Sequence, residues 1–585
     1  MTLQRSRRLI VPTLLFAFAL LAIPAKETFA QKVPTAKRLP KDVFAYFSIP
    51  SVTEFKKRFS ASSTGMLLKD KALDDFLSDI KVQLKAASGK AEKATGFSLD
   101  QLIAIPSGEF SVAVVKSKGA IPGVVVFLDF GTSKSVVTKL LGKAEQAAKA
   151  NGAGVTEEKS GGVSIKVITP PGDGSGEEGA STPRQLRIGY FVKGTHLVFG
   201  TDIGALKNVV ARWDGKLENS FADHKVHSYI SSRCRTDNRD PALEWYVNPM
   251  DLIQHVISTS EDIPAAAKGV FAFLPLLGIT KFRGVGGSVD MVTKEFDYIS
   301  KTLVYVDQPA TGLLNLFRFP AVKQSPPKWV SENASSYTSV NWDFKSAYTS
   351  VETMFNMINA LSGPDALGKE LQKLADDPNG PGIHLKKDVI DQLSGQIQVI
   401  SEIGSTENGP SVKFNVVLGM RDEKKANALI AKIVNHPAFP GKSRKVNGRN
   451  LYELDLGATF GGNTGAMGFA VTQDGIVFCS DVKQLESIMM EKAAAKPLVD
   501  SAAYKRIAAR FPAKTSMISY SGVNSQIGAI WDQLRGEELP IPVPGIDFGK
   551  LPKFSVIKKY LQPSGSYTIP DKNGAYMESF YLRRK

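Results

Sequence analysis

The chain has 585 residues, 43% hydrophobic and 22% charged, the balance of a globular protein rather than a disordered, collagenous or polytopic membrane chain. At roughly 100–200 residues per domain it holds more than one domain. Two cysteines exclude a disulfide scaffold and a cysteine-rich zinc or iron–sulfur protein.

The first predicted element is an export signal. Arg5, Arg7 and Arg8 precede an apolar run from Leu9 to Ile23, and Thr28-Phe29-Ala30 supplies small residues at the −3 and −1 positions. The run is shorter than the roughly 20 residues that span a bilayer, so cleavage is expected after Ala30. No cysteine follows the run, which disfavours a lipid anchor. Removing residues 1–30 takes away four cations and one anion, and lowers the formal charge from +16 to +13. A basic exported protein meets anionic headgroups, cell-wall polymers or acidic polysaccharide; the alternative is a solvated, evenly basic surface with no such partner. Nucleic acid is not an expected partner, because no basic tract interleaves aromatics. No second spanning segment is seen.

Beyond the leader, Leu73, Phe76, Leu77, Ile80 and Leu84 recur at helical spacing. Phe110–Val114 and Val124–Leu128 read as strands. Thr132 or Ser133 caps a helix carrying Val136, Val137, Leu140 and Leu141. Ile188–Val192 and Leu197–Asp202 are paired strands, with Asp202 capping the helix that follows. The same plan returns. Leu367, Leu371 and Leu374 mark a helix, Phe414–Leu418 a strand, and Asp422 a cap before Ala426, Leu429, Ile430 and Ile433. Met467–Val471 and Ile476–Asp481 lie over the first paired strands at a constant offset of 279, with Leu206 over Leu485. Ser107-Gly108 matches Ser394-Gly395, and Val126–Leu128 matches Val416–Leu418. The ordered series predicts two tandem homologous halves, residues 39–317 and 331–585, joined by a proline-rich linker at 318–330. The expected class is α+β, each half a mostly antiparallel sheet with helices on one face.

The chemistry-bearing residues are sparse. Ser-x-x-Lys occurs at Ser325–Lys328, filled by prolines, and at Ser555–Lys558, in a strand or turn; neither reads as catalytic. His224 and His227 lie beside Asp223 without metal-ligand spacing, and read as a solvated helix end. His196 sits in a turn, and His255 is packed on a helix. Cys234 and Cys479 fall at unrelated repeat positions and are expected as free thiols. The glycine-rich stretch 457–465 lacks a P-loop sequel and reads as a variable connection, like 170–183. No catalytic, metal or cofactor site is expected.

Two proline-rich apolar segments occupy matching places. Glu261-Asp262-Ile263-Pro264 leads into Phe271, Phe273 and Leu274, and Glu537-Glu538-Leu539-Pro540 into Ile541 and Val543. Proline lowers the entropy cost of holding an apolar loop open. Phe271, Phe273, Leu274, Leu539, Ile541 and Val543 are therefore the candidate apolar binding residues; the alternative is that each segment folds over its own core.

The opening Leu39-Pro40-Lys41-Asp42-Val43-Phe44-Ala45-Tyr46-Phe47, followed by Phe55 and Phe59, resembles a family of exported proteins of unknown function common in planctomycete-type bacteria. That resemblance implies a first strand and an amphipathic helix, and no activity or cofactor. The second copy, Ser335–Val340, keeps the strand without the Leu-Pro. The expectation is a non-catalytic exported envelope protein, periplasmic or extracellular, that binds or scaffolds. The sequence leaves its partner open; the candidates are an anionic envelope polymer, a lipid or another envelope protein. A lipid carrier and a hydrolase with a dispersed site are the alternatives.

Overall fold

A computed structural model describes residues 33–95, 97–171, 187–237, 239–260, 263–264, 268–269, 271, 274–359, 363–406, 409–454, 467–523, 525–536 and 546–584. The expected leader and the glycine-rich stretch 457–465 lie outside them. The chain forms two compact units. One takes in the described residues of Met1–Val270, Arg283–Tyr305 and Pro542–Leu551, the other those of Phe271–Phe282, Val306–Ile541 and Pro552–Lys585.

The first unit is built on strands β1 (Val43–Ile49), β2 (Phe110–Val115), β3 (Gly123–Asp129), β4 (Gly154–Ser160), β5 (Val163–Thr169), β6 (Ile188–Lys193), β7 (His196–Gly200), β8 (Leu243–Val247), β9 (Phe282–Met291) and β10 (Phe296–Val306). Hydrogen bonding runs β4-β5-β6-β7-β3-β2-β1-β8-β9-β10, and the pairs from β4 to β9 are antiparallel. The second unit uses β11 (Ser336–Asn341), β12 (Leu393–Thr406), β13 (Gly409–Met420), β14 (Lys442–Val446), β15 (Arg449–Leu454), β16 (Met467–Thr472), β17 (Gly475–Cys479), β18 (Met517–Ser521), β19 (Ser564–Asp571) and β20 (Gly574–Leu582). Its antiparallel order is β14-β15-β16-β17-β13-β12-β11-β18-β19-β20. The α+β class and the antiparallel pairing are as expected.

Helices cover both faces of each sheet, not one. The cause is legible in β3, where Val125, Val126, Phe127 and Leu128 are all buried, so neither face can meet water. On one face Leu128, Tyr190 and Leu197 pack with Val137 of the helix Lys134–Ala150. On the other, Gly189 lets the helix Ile203–Ala211 approach; a Cβ there would lie 2.7 Å from the Leu206 side chain. In the second unit, Phe469, Val471 and Ile476 pack on Ala426 and Ile430 of the helix Glu423–Val434. Gly468 opens the opposite face to Leu485 of the helix Val482–Met489, 2.9 Å from the built Cβ.

The caps behave as their chemistry requires. The Asp202, Asp422 and Asp481 side chains accept N–H groups of Ala205, Lys425 and Lys483 at 2.8, 3.1 and 2.9 Å. Ser133 stands at its N-cap position without a side-chain cap bond. The proline-rich stretch expected as a linker is fastened along the second unit. Val322 bridges Thr515, and the Trp329 Nε1 donates to Asp474 at 2.9 Å.

Candidate functional site

The apolar segments are only partly within the described residues: Phe273, Leu539, Ile541 and Val543 lie outside. Phe271 and Leu274 are half-buried in a turn in which the Leu274 N–H donates to the Phe271 carbonyl at 3.2 Å. Next to them Leu276 is 65% exposed. The Leu313 N–H anchors the segment by donating to the Leu277 carbonyl at 2.9 Å.

The histidines correct one expectation. His224 does cap the helix Lys225–Cys234, but His227 is buried rather than solvated. Its ring centre lies 3.9 Å from that of Phe221, and the rings of Tyr46 and Tyr246 meet it edge-on. The first turn of the helix points inward at this position, because His227, Ile230 and Cys234 fall on one face with 3.6-residue periodicity. Burial, with His224 close by, lowers the His227 pKa to about 4. His255 is buried against Phe44, as its helical setting implied. His196 is buried at the start of β7, 3.9 Å from Asp129 and edge-on to Trp213. Cys234 and Cys479 are buried thiols that are not joined in a disulfide. Ser555 and Lys558 lie on a one-turn helix, Phe554–Ile557, and its 3-10 extension, not on a strand, and both are exposed.

A buried carboxylate organises the start of the first unit. Glu109 accepts the Thr35 N–H at 3.2 and 3.1 Å, the Ser111 hydroxyl at 2.7 Å and the Ser48 hydroxyl at 3.2 Å. These bonds tie the turn Thr35–Arg38 to the sheet, where Arg38 lies 4.1 Å over the Trp213 ring. Two strands away, burial first and the Glu109 charge second raise the Glu244 pKa to about 7. The Thr35 N–H and the Ser111 and Ser48 hydroxyls are spent on the fold, whereas the buried Thr35 Oγ1, Arg38 Nη1 and Tyr46 hydroxyl nearby have no hydrogen-bond partner among the described residues.

An open cleft of about 780 Å³ lies in the second unit. Three elements form it: the helices Phe344–Ile358 and Ala366–Ala375, and a π-helical turn, Leu385–Ile390. Asp343 and Asp365 cap the two helices, and the Asn356 side chain accepts the Leu367 N–H at 2.8 Å, holding the second helix against the first. The π-turn is clamped by Asp388, which accepts the His384 N–H at 3.0 Å and the Lys432 ammonium at 2.6 Å.

The charges in this cleft are unequally engaged. Asp365 caps its helix, Asp376 accepts the Gln372 amide at 2.7 Å, and Glu352 lies beside the Tyr348 hydroxyl. Burial, then the Glu352 charge, raises the Tyr348 pKa. Lys373 pairs with Glu370 at 2.7 Å and Lys386 with Asp391 at 3.1 Å. Lys369 and Lys387 are exposed and have no ion pair among the described residues. Sequence reasoning read this helix by its leucines and passed over its lysines, yet Leu374 is 67% exposed. The lysine pair at 369 and 373 and the doublet at 386–387 were the available signal. Among the described residues no group of His, Cys, Asp and Glu is arranged to hold a metal ion, and no helix is long and apolar enough to cross a membrane.

No family model, curated protein or solved structure matches this chain.

Proposed function

We propose that this chain is an exported envelope protein that binds or scaffolds rather than catalyses, built from two tandem copies of one α+β plan. The observation that carries the reading is the shared register of the two sheets. In β6–β7, Gly189 faces Gly200 and Lys193 faces His196; in β16–β17, Gly468 faces Cys479 and Thr472 faces Gly475. Each position differs by the offset of 279 found between the sequences. Tyr46 faces Tyr246 across β1–β8, and Tyr337 faces Tyr520 across β11–β18. A duplicated fold offers two related surfaces on one chain, which suits binding or scaffolding. The leader-like segment and the resemblance of residues 39–47 to exported proteins support a role outside the cytoplasm.

The test is recovery of the protein from the envelope fraction of its own cells, followed by native mass measurement. The reading expects a mature mass starting at Gln31 and retention with envelope material. A cytoplasmic protein with an intact N-terminus overturns it.

A second reading, a carrier of a lipid or other apolar ligand, draws support from Leu276 and Phe317, 65% and 69% exposed on neighbouring turns of the second unit. Organic extraction of the native protein tests it: a retained lipid supports the carrier, and an extract without lipid removes it.

A further inference from the structure

We infer that an open, hydroxyl-lined part of the second sheet is a docking surface for an extended, uncharged polysaccharide. The inference rests on the reading of the chain as an exported binding protein and names the ligand class of that role.

Helices cover the two faces of this sheet unevenly. The helix Glu423–Val434 closes one face over β16 and β17, where Leu418 and Phe478 join its cluster. Farther along the same face, the side chains of β11–β13 and β18–β20 are half-buried or exposed, while the alternate residues Tyr337, Ile400, Ile518 and Phe580 are buried on the other side. One row across six strands reads Phe414, Ser401, Ser336, Ser521, Ser564, Tyr581, each residue directly opposite the next. Beside it, Thr338, Ser519, Ser566 and Ser579 form a second row on β11 and β18–β20. At about 4.8 Å per strand spacing the first row is about 24 Å long.

Three features select the occupant. No position on this part of the face is charged, whereas the exposed strand β14 carries Lys442, Arg444 and Lys445, the usual guard of an open strand. The surface therefore gives an ionic polymer nothing to pair with. Second, each hydroxyl both donates and accepts. The Thr338 and Ser519 hydroxyls bond each other at 3.0 Å, and the four serine hydroxyls of the first row have no hydrogen-bond partner among the described residues. A ligand that is itself an array of hydroxyls meets them at several points, while a lipid chain would bury them unpaired. Third, Phe414 and Tyr581 stand at the two ends of the row, 36% and 48% exposed. An aromatic ring offers wide contact at little conformational cost, and its electron-rich face receives the CH groups of a sugar ring. A second copy of the chain fits less well, because stacked sheets interdigitate their inner side chains and serines are too short to fill that space. The twist of the sheet turns the row along its length, which suits a single chain rather than a flat crystalline face.

The experiment uses the full mature chain and four soluble probes: cellohexaose, chitohexaose, laminarihexaose and oligogalacturonate. Affinities are measured by calorimetry at 50 and 500 mM salt, and self-association by sedimentation. The expected result is binding of at least one neutral hexasaccharide, with an affinity that changes less than twofold between the two salts, as contacts without charge require. F414A/Y581A should weaken that binding at least tenfold, and S521V/S564V, which keeps good strand formers and removes two hydroxyls, at least threefold. F414W/Y581W should keep it. I121A/L217A truncates two exposed apolar side chains of the first unit and should change it less than twofold. Equal weakening by F414A/Y581A and I121A/L217A overturns the surface, as does binding of oligogalacturonate alone or of no probe. A dimer that F414A/Y581A dissociates, in a chain that binds no hexasaccharide, overturns the glycan and assigns the face to a second copy. Envelope retention of a chain that binds none of the neutral probes overturns this surface and leaves the wider reading standing.

Discussion

Lowering the pH should cost the first unit stability through His227, and Glu244 should mask that loss in the unaltered protein. His227 is 7% exposed, ringed by Phe221, Tyr46 and Tyr246, and its Nδ1 has no hydrogen-bond partner among the described residues. Its folded pKa is about 4 against an ordinary 6.5. Between those values the unfolded chain binds a proton that the folded chain refuses. Stability from this group is therefore full above pH 6.5 and lost as the pH falls toward 4, by about 3 kcal/mol at ~1.36 kcal/mol per pH unit. Glu244 acts oppositely. Its folded pKa of about 7 exceeds the ordinary 4.5, so the folded chain holds a proton that the unfolded chain releases. That contribution is full below pH 4.5 and lost as the pH rises to 7. The two slopes oppose each other over one window, and the unaltered unit should show a shallow pH profile. Glu244→Gln removes one slope and exposes the other: stability should then drop by about 3 kcal/mol from pH 7 to pH 4. His227→Phe should do the reverse, with stability falling as the pH rises from 4.5 to 7. Urea unfolding at fixed pH, followed by Trp213 and Trp245 fluorescence, reads both. Equal stabilities of Glu244→Gln at pH 7 and pH 4 would refute the reasoning.

Other consequences are simpler to check. Leu206→Ala and Leu485→Ala remove fully buried side chains, and each should cost about 2–5 kcal/mol in denaturant unfolding. Asp202→Ala and Asp481→Ala each remove a helix cap and should cost about 1 kcal/mol. Burial, then the nearby Asp481 and Glu402 charges, raise the Cys479 thiol to about 12, and Cys234 is equally buried. A thiol reagent should therefore label neither in the folded protein and both in guanidinium.

Much of the strand content was legible because paired strands leave a period-two or continuous apolar signature. Ile188–Lys193 and His196–Gly200 were readable to within a residue or two, and Asp202 and Asp481 announced the helices behind them. The covering of both faces was less legible. A run such as Val124–Leu128 reads as a strand whether one face is buried or two, and only the observed burial of both Val126 and Phe127 decides. The burial of His227 escaped because a polar residue beside His224 and Asp223 carries no mark of the aromatic ring that closes over it. Phe221 is near in sequence, but the Tyr46 and Tyr246 rings that complete the surround are distant. The cleft escaped for a related reason. Its lysines come from two elements, and their availability depends on Glu370 and Asp391 engaging their neighbours rather than themselves.

The most direct measurement is the N-terminus and location of the protein in its own cells, with whatever polymer accompanies it. The account predicts a chain beginning at Gln31, found outside the cytoplasm and retained with envelope material. A cytoplasmic chain that retains Met1, or a mature chain that no envelope material retains, would contradict it.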